Sequence, residues 1–431
     1  MTATIAGPDM PSHAPSPGGD MPSHAPSPVG DVLSHTLSPV GDVPPMTITI
    51  LGLSLSSSWG NGHATTFRAL IRGLSACGHS ITFLERDVPW YAAARDLPDP
   101  DFCRLAFYRH PSELLTTHRA AIANADAVLV GSYVPDGIEV IRKVLTIAGG
   151  VVGFYDIDTP VTLARLARDD CDYLSRRLIP AFDVYFSFTG GPLLDRLERQ
   201  YGARRARPLY CAVDATRYAP ADAADAPRPL YDLGYLGTYS PDRQPALNRL
   251  LIEPARRMPD RRFIVAGPQY PADIDWPANV TRLDHVAPAD HPAFYASLRY
   301  ALNITRADML ATGWSPSVRL FEAAACATPV ITDPWDGIEA FFPEGEAILV
   351  AHGTDDVVAA LSDHHGDTGR RLAARARAIV LDGHTGLHRA RELAAGLWHR
   401  RPAATGGKPE TRSLDLAGPT ERTGDEAHTP A

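Results

Sequence analysis

The stretch GWSPSVRLFEAAACATPVITD, from Gly313 to Asp333, reads as a loop, a helix start, a short alanine-rich helix and a buried strand. Ser315 followed by Pro316 predicts an N-cap and a first helical position. The alanines at 323, 324 and 325 suit a helix packed tightly against its neighbours, yet Arg319 and Glu322 open that helix on a shared face. A surface ion pair between them would contribute only about 0–1 kcal/mol. The surrounding LFEAAACATPV is apolar on nearly every face, and a partly buried carboxylate needs partners. Two ribose hydroxyls would supply donors to Glu322, with Arg319 holding it or contacting phosphate.

The same alternation of strand, loop and helix extends in both directions. In the first half, TITILGLSL, SITFLE, DAVLVGS, GVVGFYD, DVYFSF and RPLYCAV are strand-like, with helices such as Ala64–Cys77 and Asp136–Ile147 between them. The second half offers YDLGYLG, RFIVAG, NVTRL, YALNIT, TPVITD and AILVA, separated by helices such as Gln244–Met258, His291–Leu298 and Val318–Cys326. This pattern predicts an α/β protein of two Rossmann-like domains with parallel sheets, and a cleft facing the carboxyl ends of both. The expected divisions are 46–215 and 231–400, joined by an Ala-, Pro- and Asp-rich linker at 216–230. Residues 1–45 carry a tandem repeat (MPSHAPSPGGD, MPSHAPSPVGD, VLSHTLSPVGD) whose composition cannot build a core. We expect a disordered leader there, translation starting at Met46 as one option, and a second polar tail over 401–431.

The 431 residues are 45% hydrophobic and 21% charged, with a formal charge of −9 and no block of Lys or Arg, which speaks against nucleic acid or an anionic membrane as main partner. No segment approaches the roughly 18 apolar residues of a membrane span. Five scattered cysteines, never spaced as CxxC, fit a reducing cytoplasm and neither a disulfide framework nor a zinc site.

The remaining candidate residues cluster at predicted strand ends. Gly60, Asn61 and Gly62 form a flexible loop entering a helix near His63. His63 is either a general base facing the cleft or a helix-start histidine bonded to a neighbouring carbonyl. A dinucleotide fingerprint does not fit, because the loop is too long and the third glycine position is Thr65. In GFYDIDTPVTLARL, Asp158 is read as a helix cap and Asp156 as the cleft-facing, catalytic carboxylate, with no metal. Gly237, Thr238 and Arg243 lie where a strand meets a helix, a combination that suits a diphosphate or a solvated arginine equally. Asn303, Thr305, Arg306, Ser315, Ser317, Arg319 and Glu322 lie between one strand end and the first turns of the next helix.

Taken in order, GHATTFRALIRGLSACGHSITFLERD, FYDIDTPVTLARL, FSFTGGP, LYCAVD, LGTYSPDRQ, LNITRADM, GWSPSVRLFEAAACATPVITDPWDGIEAFF and ILVA resemble the GT-B glycosyltransferases, most closely the spore-maturation CgeB-type family. The resemblance spans residues 46–399. It implies a nucleotide-diphosphate sugar held mainly by the second half, with no further cofactor, and an unidentified acceptor against the first. Glu322 would match the glutamate that holds the ribose, and Arg243, Arg306 and Arg319 would face the diphosphate. Many retaining relatives carry another glutamate eight positions earlier, where this chain has Trp314. A catalytically inactive carbohydrate- or nucleotide-binding assembly protein and a sugar-nucleotide 2-epimerase remain alternatives. The oligomeric state is open.

Overall fold

β-Branched and aromatic runs pair here in register and in one direction throughout. The computed structural model describes residues 43–59, 62–220, 229–363 and 366–399. In the first half the strands are β1 (Thr47–Gly52), β2 (Ser80–Arg86), β3 (Arg104–Tyr108), β4 (Ala127–Gly131), β5 (Val151–Asp156), β6 (Val184–Ser187) and β7 (Ala206–Pro208). They form one sheet in the order β3-β2-β1-β4-β5-β6-β7. The second half has β8 (Tyr231–Leu236), β9 (Phe263–Ala266), β10 (Val280–Leu283), β11 (Leu298–Asn303), β12 (Val330–Thr332) and β13 (Leu349–Val350), ordered β10-β9-β8-β11-β12-β13. All of these pairings are parallel.

Chain order reverses between β1 and β4 and again between β8 and β11, so each sheet has a switch point at its carboxyl edge. Helices cover both faces, and β4 and β5 are buried along their whole length, as continuous apolar strands require. Twelve strands match the β-branched runs. The thirteenth, β3, was not foreseen: RLAFY is a half-exposed edge strand with no sustained alternation. RPLYCAV joins the sheet through Ala206–Pro208, continues as loop, and makes an isolated parallel bridge from Val213 to Thr385. Residues 1–42 of the leader, the tail and linker residues 221–228 lie outside the described residues, whereas Met46 is described and buried.

The chain ends its described course on the half where it began. Helix Gly386–Trp398 crosses helix Gly62–Ala76 at close range. A Cβ on Gly73 would lie 2.2 Å from the Gly386 carbonyl oxygen, and one on Gly386 would lie 2.2 Å from that of Ala69. Only glycine at both positions permits that backbone approach.

A second contact joins the halves at the loop before helix Val318–Ala325. The Gly190 amide donates to the Trp314 carbonyl at 3.0 Å, and the Cys211 thiol to that of Pro316 at 3.2 Å. The Thr189 and Ser315 hydroxyls share a hydrogen bond. Ser315 is therefore a docking residue and not the helix cap. The N-cap is Ser317, whose hydroxyl accepts from the Arg319 amide. Trp314, with φ of 52°, packs its indole against Gly191 and Gly337, where added Cβ atoms would lie 2.4 and 2.5 Å from the ring.

Candidate functional site

At the carboxyl edge of the second sheet, the helix that begins at Val318 aims Arg319 back over the end of β8. Its Nε donates to the Leu236 carbonyl at 2.6 Å and one Nη to Asn303 Oδ1 at 2.8 Å. The guanidinium carbon lies 4.8 Å from the centroid of the Tyr235 ring. Asn303 is fixed in turn by donating to Thr332 Oγ1 at 2.9 Å. A Cβ on Gly237 would lie 2.9 Å from the other Arg319 Nη and 2.7 Å from the Tyr235 hydroxyl oxygen. Glycine at 237 thus keeps open the space between those two polar groups.

Arg243 enters from the other side, just before helix Gln244–Leu247. One Nη donates to the Thr238 carbonyl at 2.6 Å. Its buried Nε has no hydrogen-bond partner, nor has the buried Tyr235 hydroxyl or Gln244 Oε1. Native structures rarely leave three such atoms unpaired in one place. Burial pulls the Arg243 guanidinium below its usual range, Tyr235 opposes this, and the positive charges of Arg319 and Arg306 add to it. The result is a narrow, positively charged recess lined by Tyr235, Thr238, Tyr239, Arg243, Gln244 and Tyr270 among others. Its donors and charge suit an anion with several oxygens.

The structure thus brings together Gly237, Thr238, Arg243, Asn303 and Arg319, with Ser317 Oγ 3.5 Å from an Arg319 Nη. Thr305 lies beneath them, its amide and hydroxyl donating to Asp333 at 3.0 and 2.8 Å, and burial pushes the Asp333 carboxyl up. Glu322 does not join the recess. It is 3% exposed, accepts from the Tyr295 hydroxyl at 3.0 Å and lies 3.8 Å from His291 Nδ1, which is 3.1 Å from the Tyr218 hydroxyl. Protein groups thus supply the partners that its burial demanded, and Arg319 turns to a carbonyl and an amide instead. Tyr235 and Gln244 were missed by sequence reasoning; a tyrosine near a strand end before a glycine was the available signal.

In the first half, helix Gly62–Ala76 presents His63 near its start. Its Nε2 lies 3.8 Å from Asp158 Oδ2, and its ring meets Tyr133 edge-on at 5.2 Å. Gly60 and Asn61 lie outside the described residues, and a Cβ on Gly62 would meet open space.

Of the two aspartates, the one expected to face the cleft is buried and the one expected as a cap has its side chain in the cleft. Asp156, the last residue of β5, is fully buried; it accepts from the Tyr185 hydroxyl at 2.5 Å and from Thr162 Oγ1 at 2.7 Å. Asp158 occupies the N-cap position without a side-chain cap bond. It faces the cleft instead, 3.3 Å from the Tyr133 hydroxyl and 3.8 Å from Arg306 of the second half. The reason is geometric: β5 ends at Asp156 and the chain turns into helix Thr159–Ala167, so the DxD pair does not share a face.

Burial pushes the Asp156 carboxyl up to about 6 against the hydrogen bonds from Tyr185 and Thr162, with Asp158 raising it further. An acid raised from an unfolded value near 4 favours the folded state at low pH, and that preference fades as pH climbs through about 6. Asp156→Asn should therefore flatten the pH dependence of the unfolding midpoint between roughly pH 4 and 6. At neutral pH it should leave the fold at least as stable as wild type, measured by thermal unfolding across pH.

Glu85, at the end of β2, is fully buried and accepts from the Leu55 and Ser56 amides and the Ser54 and Ser56 hydroxyls. It locks the loop after β1 and has no capacity left for a cofactor ribose, which agrees with the long-loop argument against a dinucleotide fold. Among the described residues no three His, Cys, Asp or Glu gather as metal ligands, and no helix is long and apolar enough to cross a membrane.

Solved structures share this architecture over most of the chain. A sucrose-phosphate synthase from Thermosynechococcus elongatus superposes with a TM-score of 0.56 at 14% identity, covering 81% of this chain and 96% of its own. HepE from Anabaena, in complex with UDP, gives 0.58 at 12% identity over 81% of this chain and 98% of its own. An alpha-glucosyltransferase in complex with UDP gives 0.56 at 12% identity, covering 78% and 95%. At such identities the likeness is one of fold. No curated protein matches the sequence. Residues 243–395 match the family described as glycosyl transferase-like. The chain has the GT-B fold of these structures, and this one segment is similar to the glycosyl transferase-like family. The matched segment contains Arg243, Gln244, Asn303 and Arg319, while Tyr235, Gly237 and Thr238 lie just before it.

Proposed function

We propose that the protein transfers a sugar from a nucleotide-diphosphate sugar to an acceptor and that it is of the CgeB type. The observation that carries this reading is the recess at the end of β8. There the Arg243 Nε, the Tyr235 hydroxyl and Gln244 Oε1 stand buried and unpaired beside the Arg319 guanidinium. A diphosphate supplies acceptors to the Arg243 Nε and the Tyr235 hydroxyl and neutralises two arginines at once, while Gln244 Oε1, an acceptor, would take a hydroxyl donor of the nucleotide sugar. HepE and the alpha-glucosyltransferase, which share the fold, were solved with UDP, so UDP is the first probe.

In the reaction the bond between the anomeric carbon and the β-phosphate oxygen breaks, the acceptor oxygen bonds to that carbon, and the diphosphate leaves with the electron pair. Charge grows on the departing oxygens, which Arg243 and Arg319 would neutralise in place of a metal ion. His63 takes the acceptor proton, and Asp158, not the buried Asp156, is the cleft-facing carboxylate that orients it. Glu322 acts at one remove, tying its helix to Tyr295 so that Arg319 is aimed correctly. Trp314 contributes shape at the junction of the halves. The five free cysteines support a reducing, cytoplasmic setting.

The test is a panel of UDP-, dTDP- and GDP-sugars with wild type and an acceptor mixture, following released diphosphate and glycosylated product. We expect transfer from at least one donor. An altered sugar nucleotide formed with no acceptor present would instead mark an epimerase, and binding without turnover an assembly protein.

A further inference from the structure

Arg306 belongs to the second half, yet its charge meets a carboxylate of the first. Its backbone is pinned on both sides. Thr305 is bonded to Asp333, and the Ala307 amide donates at 2.9 Å to Asp242, the neighbour of Arg243. The side chain is free to choose a partner: it is 43% exposed, and its Nη1 lies 3.8 Å from Asp158 Oδ2. That separation exceeds a hydrogen bond and marks a weak, exchangeable pair. The same Asp158 oxygen lies 3.8 Å from His63 Nε2 and 3.3 Å from the Tyr133 hydroxyl. Arg306 also stands close enough to Arg243 to add to the positive field of the recess.

We propose that Arg306 is a positioning residue that exchanges partners, held by Asp158 when the recess is empty and drawn to the diphosphate when a donor enters. Its departure leaves Asp158 to His63, so the proton acceptor is assembled only once a donor is in place. Premature proton transfer is thereby avoided, and binding at one half is read at the other. This inference rests on the donor-site reading above.

A double-mutant cycle on UDP affinity, measured by calorimetry, separates the two. Asp158→Asn should tighten UDP binding roughly two- to fivefold, the range expected for releasing an exposed ion pair. Arg306→Ala should weaken binding, and adding Asp158→Asn to it should change nothing more. If Asp158→Asn tightens binding equally or more strongly without Arg306, the aspartate acts by plain repulsion of the anion and the exchange is wrong. If Asp158→Asn has no effect with Arg306 present, the exchange is also wrong. A wild type that binds no UDP, dTDP or GDP removes the donor reading, and the exchange with it.

Discussion

Arg243→Ala is expected to weaken UDP binding roughly 10- to 100-fold, the loss of one charge-assisted hydrogen bond of about 1.5–3 kcal/mol. The same substitution should not lower the unfolding midpoint. Arg243 donates a hydrogen bond to the Thr238 carbonyl, but its Nε is buried unpaired, and burial with the charges of Arg319 and Arg306 outweighs the support of Tyr235 and Asp242. Removing it takes away a buried, under-neutralised cation, so stability should hold or rise while affinity falls. That opposition is the signature of a residue kept for a ligand. Arg319→Ala would not show it as cleanly, because Leu236 and Asn303 would lose their donor. Calorimetric titration together with thermal unfolding reads both quantities. Equal UDP affinity in wild type and variant would contradict the assignment.

Glu85→Ala should cost about 3–4 kcal/mol of stability, the largest loss we expect from a single change outside the apolar core. Its carboxylate accepts from the Leu55 and Ser56 amides at 2.6 and 2.9 Å and from the Ser56 and Ser54 hydroxyls at 2.6 and 3.1 Å, in a fully buried site. Alanine would leave two buried amides without acceptors. The loop is braced from the other side by Arg68, which donates twice to the Leu55 carbonyl and is paired with Asp96. Glu85→Gln should lose less, since one oxygen remains an acceptor while the new NH₂ faces donors. Because this loop leads into the helix that carries His63, turnover should fall further than stability alone explains. Chemical denaturation of the three proteins measures the first effect; a loss below about 1 kcal/mol would show that the loop holds without its carboxylate.

Much of this architecture was legible because parallel sheets buried on both faces leave continuous β-branched runs, and because GWSPSVRLFEAAA contains both a cap and a close-packed helix. Arg319 could be singled out by a charge at the start of an apolar helix. Direction was harder to read than identity. Arg319 and Glu322 are three apart, yet the arginine reaches a strand end while the glutamate turns to tyrosines brought in from Tyr218 and Tyr295. No spacing rule foresees those partners. Asp156 was expected in the cleft and is buried for a similar reason, because β5 ends on it and turns its side chain inward. Ser315 resembled a cap only until the opposite half supplied Thr189. The unpaired Tyr235 hydroxyl becomes visible only once β8, Gly237 and Arg319 stand together.

The most direct test of the donor site is a crystal structure of the protein with UDP. We predict the diphosphate within hydrogen-bond distance of the Arg243 Nε and beside Arg319, filling the space that Gly237 leaves open. UDP bound elsewhere, with Arg243 and Tyr235 untouched, would contradict the account.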